Sequence, residues 1–266
     1  MDTKIRLGLR FPRSYIRDLF ISRWATPREH PFEESTQYIG HTVHSDVKSL
    51  PFESFQGFKY VINFIDRYSR LGFCYFMRSK SEATAMFRTY VSDMSRLGVK
   101  IKNICTDRGS EYFEQEGDSK LNRGRQLHEF SLYCVAQQIV HTLQPVEMQE
   151  KIAEVWFRDH FTAVDAMLWD ARLSPAFWAD ALAYSLHCFN RTPSHHLGGA
   201  ISPWQLLTGE RSRWDKFRVF GCDVFEHIPN NAFAKVPGIP KGRKLIFVGF
   251  QDGRGGFKVF DPETRS

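Results

Sequence analysis

Acidic residues at two strand ends and on one helix are the side chains best suited to chemistry. Asp46 lies in the short apolar run HTVHSDV, and Asp107 ends the run VKIKNICTD. Glu147, Glu150 and Glu154 are spaced three and four residues apart in a long helical pattern, so they share one helix face. Because neighbouring carboxylates repel each other unless a cation lies between them, these residues predict a metal site in which a helical glutamate joins two aspartates.

Three carboxylates suit a site for two divalent cations, roughly 3.5–4 Å apart, that supports in-line displacement at phosphorus. Mg²⁺ fits such a site because it takes a few carboxylates and fills its remaining positions with water or phosphate oxygens. Each acid also has an ordinary structural interpretation. A strand aspartate can end a strand or cap a turn, and Glu154 can form an exposed ion pair with Arg158, four residues on. Spacing alone leaves both interpretations open.

The elements that position these acids follow the order βββαβαβαα. Apolar and β-branched runs predict strands, and apolar residues at spacings of three and four predict helices. The predicted strands are 41–47, 58–66, 71–77, 99–107 and 139–143, and the predicted helices are 81–98, 126–138, 147–173 and 174–189. Three antiparallel strands followed by crossover units make an α/β fold with a mixed five-stranded sheet and flanking helices. In such a sheet the first and fourth strands can be neighbours, which brings Asp46 and Asp107 to one edge.

The two ends of the chain differ from this middle part. Residues 1–40 have no clean period and are broken by three prolines, so they predict a lead-in. The linker-like segment HLGGAISP spans residues 196–203. Residues 198–266 contain short strand patterns around Gly and Pro turns, which predict a small β-barrel. The predicted division is therefore a lead-in at 1–40, a core at 41–197 and a β domain at 198–266.

The charge distribution points to a polyanionic partner. The 266-residue chain has a net charge of +6 and a pI near 9.1. The basic excess lies in residues 1–40 and 201–266, whereas 41–200 hold equal numbers of basic and acidic residues. Lys and Arg bind phosphates largely independently of nucleotide sequence. The candidate DNA contacts are Lys151 and Arg158 near the acids, and Lys235, Lys241, Arg243, Lys244, Arg254 and Lys258 in the C-terminal part.

Aromatic residues lie between these C-terminal cations, at Phe247, Phe250 and Phe257. Two interpretations stay open for them: contact with nucleic acid, or the core of the barrel. Trp156, Phe177 and Trp178 lie on apolar helix faces and are predicted core residues. The five cysteines are odd in number, widely spaced and embedded in apolar runs, so we expect reduced, buried thiols in an intracellular protein. Neither the cysteines nor the pairs His41/His44 and His195/His196 have the spacing of a zinc site.

Targeting signals are also missing from the pattern. The first residues lack the apolar core of a secretory leader, and no apolar run approaches the 18 residues of a membrane span. We therefore expect neither secretion nor a membrane partner.

Ten short motifs, in order, resemble the integrase region of copia-type retrotransposon polyproteins. They cover about 41–266. The motifs are H-x-D at 44–46, GFKYVINFIDRYSR at 57–70, YFMRSKSEA at 75–83, CTDRGSEY at 105–112, IAEVWFR at 152–158, AML at 166–168, FWADAL at 177–182, NRTP at 190–193, SPWQLLTGE at 202–210 and RVFGCDVF at 218–225. Each motif alone is weak, but their shared order is specific.

The resemblance implies an RNase H-like core followed by an SH3-like barrel, and a polynucleotidyl transferase of the DDE type. It places the catalytic and metal-binding triad at Asp46, Asp107 and Glu154, with two Mg²⁺ or Mn²⁺ ions as cofactors. The implied activity is 3′-end processing and strand transfer in DNA integration. The implied partners are element ends, target DNA and further copies of the chain, in the nucleus and without a small-molecule substrate.

Three departures from the family pattern favour a fragment or a decayed copy of a mobile element. Met148, Gln149, Glu150 and Lys151 replace the family's Gln-Gln-Asn-Gly turn, Arg108 replaces an Asn, and residues 1–40 lack the cysteines of a zinc module. The polar segment 114–125 accounts for a longer separation between Asp107 and Glu154 than the family has. The alternative function is therefore an inactive DNA-binding relic of the same family. A plain RNase H-type nuclease fits the core but does not explain the barrel.

Overall fold

The computed structural model describes residues 38–107, 112, 129–143, 152–227, 242–251 and 256–264. Eight strands and five α-helices lie in these ranges. The strands are β1 Thr42–Ser49, β2 Tyr60–Asp66, β3 Gly72–Met77, β4 Asn103–Thr106, β5 Val140–Leu143, β6 Asp223–His227, β7 Gly242–Phe250 and β8 Phe257–Phe260. The helices are α1 Ala83–Arg96, α2 Glu129–Ala136, α3 Ile152–Ala171, α4 Trp178–Arg191 and α5 Pro203–Thr208.

The first sheet is mixed and has the order β3-β2-β1-β4-β5. Strands β1, β2 and β3 pair antiparallel, whereas β4 pairs parallel to both β1 and β5. The α/β class, the RNase H-like five-stranded sheet and the neighbouring first and fourth strands are confirmed. The predicted lead-in is residues 1–40. Residues 1–37 of it are outside the described part of the chain, and residues 38–40 are described.

Helices cover both faces of this sheet because side chains of a strand alternate between them. On one face, Val43, Ile62 and Phe64 pack with α1 and α2, and the Phe64 ring stacks on Tyr90 with centroids 4.4 Å apart. On the other face, Val61 and Ile65 pack with α3 and α4. The core therefore has two layers, with β1 in the middle of the sheet between them.

The signals that begin and end the helices are local. Ser79 and Glu82 form a capping box ahead of α1, in which each side chain bonds to the backbone near the other residue. Ser174 caps the short turn Pro175–Phe177 that leads into α4, as the Ser-Pro pair predicts. Among the described helices, none is both long and apolar enough to cross a membrane.

The second sheet consists of β6, β7 and β8, in that order, with antiparallel pairing. Its buried side chains continue the core of the α3/α4 layer, where Phe247 meets Tyr184 edge to face at 5.3 Å. The barrel and the boundaries at 40/41 and 197/198 stay predictions, since parts of 198–266 are outside the described ranges. Phe247 is fully buried, and Phe250 and Phe257 pack against the same core, which favours the core interpretation of these aromatics.

The buried positions of other predicted core residues agree with the sequence. Trp156, Phe177 and Trp178 are each at most 5% exposed, as predicted. None of the five cysteines is in a disulfide; three are buried, and Cys74 and Cys222 are half-buried.

Candidate active site

Strand register places Asp46 and Asp107 side by side. The last paired residues of the parallel strands β1 and β4 are Ser45 and Thr106, and each aspartate is the residue that follows. Ser45 points to the α1/α2 layer, where its hydroxyl lies 3.1 Å from the Tyr112 hydroxyl. The pleat therefore turns the next residue of each strand toward the opposite face, which α3 and α4 cover.

Asp46 is half-buried, and its backbone is fixed on both sides. Its Oδ1 accepts the Val47 N–H at 2.8 Å, and its own N–H donates to Oδ1 of Asn63 at 2.9 Å. Asn63 is the residue opposite Asp46 in β2. This contact fixes the backbone of Asp46 against the side chain of Asn63.

The first turn of α3 carries the third predicted acid. Trp156, Phe157 and His160 recur at helical spacing and are buried, so this face of α3 packs on the sheet. Ala153 is on the same buried side, and its carbonyl accepts a hydrogen bond from Nδ2 of Asn63 at 3.1 Å. Glu154 follows and is exposed. The buried Asn63 thus links the backbone of Asp46 to the backbone of Ala153, the residue before Glu154.

Sequence reasoning missed Asn63. The only signal is a single amide inside the apolar strand YVINFID, and the pattern does not show that its partners lie 17 and 90 residues away. Arg108, Glu147, Glu150 and Lys151, which the sequence analysis singled out, are outside the described residues.

The three predicted acids are not gathered into one closed cluster. Asp107 and Glu154 are exposed, and no three His, Cys, Asp or Glu side chains in the described ranges are close enough to hold one metal ion. The donor chemistry still fits Mg²⁺, which binds through one or two carboxylates and keeps water and phosphate oxygens in its other positions. Asp46 and Asp107 supply such a pair.

His44 is buried and lies two residues before Asp46 in β1, so both side chains point to the same face of the sheet. Burial, with the positive charge of Arg67 as a smaller cause, lowers the pKa of His44 from 6.5 to about 4. Its imidazole is therefore neutral near pH 7, and its buried Nε2 has no hydrogen-bond partner among the residues that the structure describes. Two of the other histidines bond within the chain: His41 Nδ1 lies 2.9 Å from the hydroxyl of the adjacent Thr42, and His196 Nε2 donates to the Tyr68 carbonyl, 128 residues away, at 2.9 Å.

The described candidates for DNA contact form ion pairs within the chain. Lys244 pairs with Asp223, and Arg158 pairs with Asp159. Arg243 contacts both Glu226 and Asp261, and Lys258 contacts Asp180 at 2.5 Å. Lys235, Lys241 and Arg254 are outside the described residues, as Lys151 is. DNA contact by all eight residues stays a prediction.

Residues 39–146 match the family model described as the integrase core domain. Over 224 residues the chain is 30% identical to the Retrovirus-related Pol polyprotein from transposon TNT 1-94 of Nicotiana tabacum, covering 83% of this chain and 16% of that protein. It is 27% identical over 235 residues to the corresponding polyprotein from transposon RE1 of Arabidopsis thaliana, covering 83% and 14%. The chain thus spans about one sixth of the length of these relatives.

Solved structures also resemble the chain. The HTLV-2 integrase catalytic core domain in complex with magnesium (trimeric form) has a TM-score of 0.45 and 18% identity, covering 63% of this chain and 95% of that chain. The catalytic core domain of BIV integrase has a TM-score of 0.46 and 13% identity, covering 63% and 93%. The family model, the transposon relatives and the motif order show that the chain carries an integrase core domain of the retrotransposon type, to which the copia-type assignment fits.

Proposed function

We propose that this chain binds DNA and joins DNA ends in a reaction that requires divalent metal. The observation that carries the proposal is the register of the parallel strands β1 and β4. Their last paired residues are Ser45 and Thr106, and Asp46 and Asp107 are the residues that follow. Two carboxylates on the neighbouring central strands β1 and β4 favour a divalent cation because their charges otherwise repel. Glu154, in the first turn of the helix that Asn63 ties to Asp46, is the third proposed ligand.

Each acid has its own part in the proposed mechanism. Asp46 and Asp107 would hold Mg²⁺ or Mn²⁺ from the two strands, with Glu154 of α3 as the third ligand. When bound, the metal supplies activation of the attacking oxygen and charge stabilisation of the leaving oxygen in an in-line displacement. The attacking group is water in 3′-end processing and a DNA 3′-hydroxyl in strand transfer. The nearby neutral His44 adds no positive charge that competes with the cation.

The surroundings of the acids support DNA as the substrate class. Six of the eight cations proposed to contact phosphates lie in residues 201–266, outside the charge-balanced residues 41–200, and Lys151 and Arg158 lie close in sequence to Glu154. Since Arg243, Lys244 and Lys258 already pair with carboxylates, phosphate binding at these positions exchanges one anion for another. Such binding weakens as salt concentration rises. Membership of the integrase family supports a multimer of this chain on two DNA ends.

The test is a strand-joining assay with labelled element-end DNA and Mg²⁺ or Mn²⁺. Asp46→Asn, Asp107→Asn and Glu154→Gln are each expected to lower the joining rate roughly 100-fold or more, because each removes a charged ligand. The matched control is Asp165→Asn, an exposed residue of α3 that lies about 16 Å along the helix from Glu154. It removes one negative charge and leaves the rate within about twofold.

A second candidate function is DNA binding without catalysis, and one observation favours it: the described acids do not form a three-membered group. It predicts salt-dependent DNA binding with no metal-dependent joining or nicking by the unaltered chain. Joining that persists in Asp107→Asn contradicts the metal-site assignment. Binding without joining in the unaltered chain contradicts the proposed catalysis and supports the relic.

A further inference from the structure

Asn63 is a polar residue in the middle of an apolar strand, and its side chain is fully buried. Its neighbours Ile62, Phe64 and Ile65 are buried hydrophobic residues. A buried amide is unfavourable unless its carbonyl and its NH₂ group are both hydrogen-bonded. The partners of Asn63 therefore show what this residue holds together.

Both ends of the Asn63 amide are used, each by the backbone of a different element. Oδ1 accepts the N–H of Asp46 in β1 at 2.9 Å, and Nδ2 donates to the carbonyl of Ala153 in α3 at 3.1 Å. The orientation of the amide follows from its partners, because an N–H requires an acceptor and a carbonyl requires a donor. Aspartate at this position lacks the donor, and leucine lacks both groups.

Ile152, Ala153 and Trp156, at the start of α3, pack into the hydrophobic core. Apolar packing is non-directional, whereas hydrogen bonds fix distance and angle. We propose that Asn63 is a positioning residue that fixes the first turn of α3 against β1 and thereby sets the spacing of Glu154 from Asp46. Its consequence for catalysis rests on the metal-dependent function proposed above.

The chain contains a matched control for this residue. Asn190, at the end of α4, is also buried, and its amide also bonds at both ends. It accepts the Gly72 N–H at 3.0 Å and donates to the Gly72 carbonyl at 2.7 Å. Asn190 thus clamps α4 to the edge strand β3 by the same chemistry, and neither of these two hydrogen bonds involves β1 or α3.

The first measurement is hydrogen–deuterium exchange of the full chain without metal. In Asn63→Leu we expect amides in the first two turns of α3 to exchange at least 10-fold faster, while those of α1 stay unchanged. Asn63→Asp keeps the shape and the acceptor but loses the donor, so it is expected to show the same change if Asn63→Leu does not fold. Asn190→Leu leaves this part of α3 as in the unaltered chain. Unchanged α3 exchange in a folded Asn63 variant overturns the proposal.

The second measurement uses Mn²⁺ as a paramagnetic probe, with ¹³C-labelled alanine methyl groups. Ala153 and Ala171 lie near the two ends of α3, about 27 Å apart. Bound Mn²⁺ is expected to broaden Ala153 and to spare Ala171. Asn63→Leu reduces the broadening at Ala153 at least threefold and lowers the joining rate at least 10-fold with DNA affinity unchanged, whereas Asn190→Leu does neither.

The two measurements separate the positioning role from the proposed function. If the unaltered chain shows neither Mn²⁺ broadening nor joining, the proposed function fails, and the exchange data alone decide whether Asn63 fixes the helix. If the unaltered chain binds Mn²⁺ and joins DNA, and Asn63→Leu matches it in broadening and in rate, the positioning role is overturned.

Discussion

Individual polar residues in buried positions connect the elements of this fold. Asn63 joins β1 to α3, and Asn190 joins α4 to β3. Asp66 accepts the Gly40 N–H at 2.8 Å and the Ser69 hydroxyl at 2.6 Å, which closes the turn after β2. Burial raises the pKa of Asp66, although these hydrogen bonds act in the opposite direction. At this scale, directional bonds specify how the apolar layers are aligned.

Because Gly221 has no side chain, its backbone can lie close to Ala171 at the end of α3. Its φ of +81° is in the left-handed region, and a Cβ placed there lies 2.2 Å from the Ala171 Cβ at the end of α3. We expect Gly221→Ala to lower the free energy of unfolding by about 3 kcal/mol, through backbone strain and overlap together. Denaturant titration followed by circular dichroism measures this change.

The matched control is Gly209→Ala at the end of α5. Gly209 has a similar φ of +74°, but no atom of the described residues lies within 4 Å of the position that a Cβ would take there. Only the strain remains, so the expected loss is about 1 kcal/mol. Equal losses at the two positions contradict the assigned overlap between Gly221 and Ala171.

The sequence predicts the acids of the site better than the residues that hold them. Asp46 lies within one apolar run and Asp107 ends another, and the predicted neighbouring of the first and fourth strands brings them to adjacent strands. Asn63 and Lys258 act through partners 90 and 78 residues away, and a local pattern contains no information about such pairs. For this reason the sequence assigns Lys258 to DNA, although it contacts a buried aspartate of its own chain.

At the scale of elements, α4 lies between the two sheets and is buried on both sides. Trp178 contacts Phe76 of the first sheet edge to face at 5.6 Å, and Tyr184 meets Phe247 of the second. The helical spacing of its apolar residues predicts the helix, and the Ser-Pro pair predicts its start. The sequence does not predict that the second sheet packs against α4, since both sides of this helix are apolar in sequence.

His187 of α4 makes this junction sensitive to acid. Its ring packs against Phe250 at 4.5 Å and Phe217 at 5.6 Å. Burial, with the charge of Arg191 as a smaller cause, lowers its pKa from 6.5 to about 3. The unfolded chain therefore binds a proton that the folded chain does not. The stabilisation from burying neutral His187 is fully present above pH 6.5, and it is lost as pH falls from 6.5 toward 3.

Replacement of this histidine by phenylalanine tests that dependence. His187→Phe keeps a ring among the aromatic neighbours and removes the titration. We expect the fall in unfolding free energy between pH 6.5 and 4 to become shallower by up to about 1.4 kcal/mol per pH unit. Urea titrations across this range measure it. His195→Gln, at an exposed position, should keep the original slope; an unchanged slope in His187→Phe contradicts the assignment.

For the molecule as a whole, the two sheets share one continuous hydrophobic core. The division predicted after residue 197 depends on composition and on the Gly-rich HLGGAISP segment. These are local signals, whereas the contact between the sheets is built from residues far apart in sequence. Phe55, in the connection between β1 and β2, stacks on Phe177 and meets Phe260 of β8 edge to face. Three separate segments therefore meet at one junction.

A buried charge lies at the centre of this junction. The Asp180 side chain is 4% exposed, and it accepts from Gln56 Nε2 at 2.7 Å and from Lys258 Nζ at 2.5 Å. Removing one partner of a buried pair leaves an uncompensated charge, but here Gln56 remains and Lys258 is 47% exposed. We expect Lys258→Met to lower the free energy of unfolding by about 2 kcal/mol, between the values typical of buried and of surface pairs.

The matched control is Lys244→Met, because Lys244 and Asp223 form a pair in which both partners are exposed. Its expected cost is below about 1 kcal/mol. Adding Asp180→Asn to Lys258→Met removes the uncompensated charge and should recover part of the loss, which a double-mutant cycle measures as coupling between α4 and the second sheet. Equal, small costs for the two lysines, with no coupling to Asp180, contradict a charged junction.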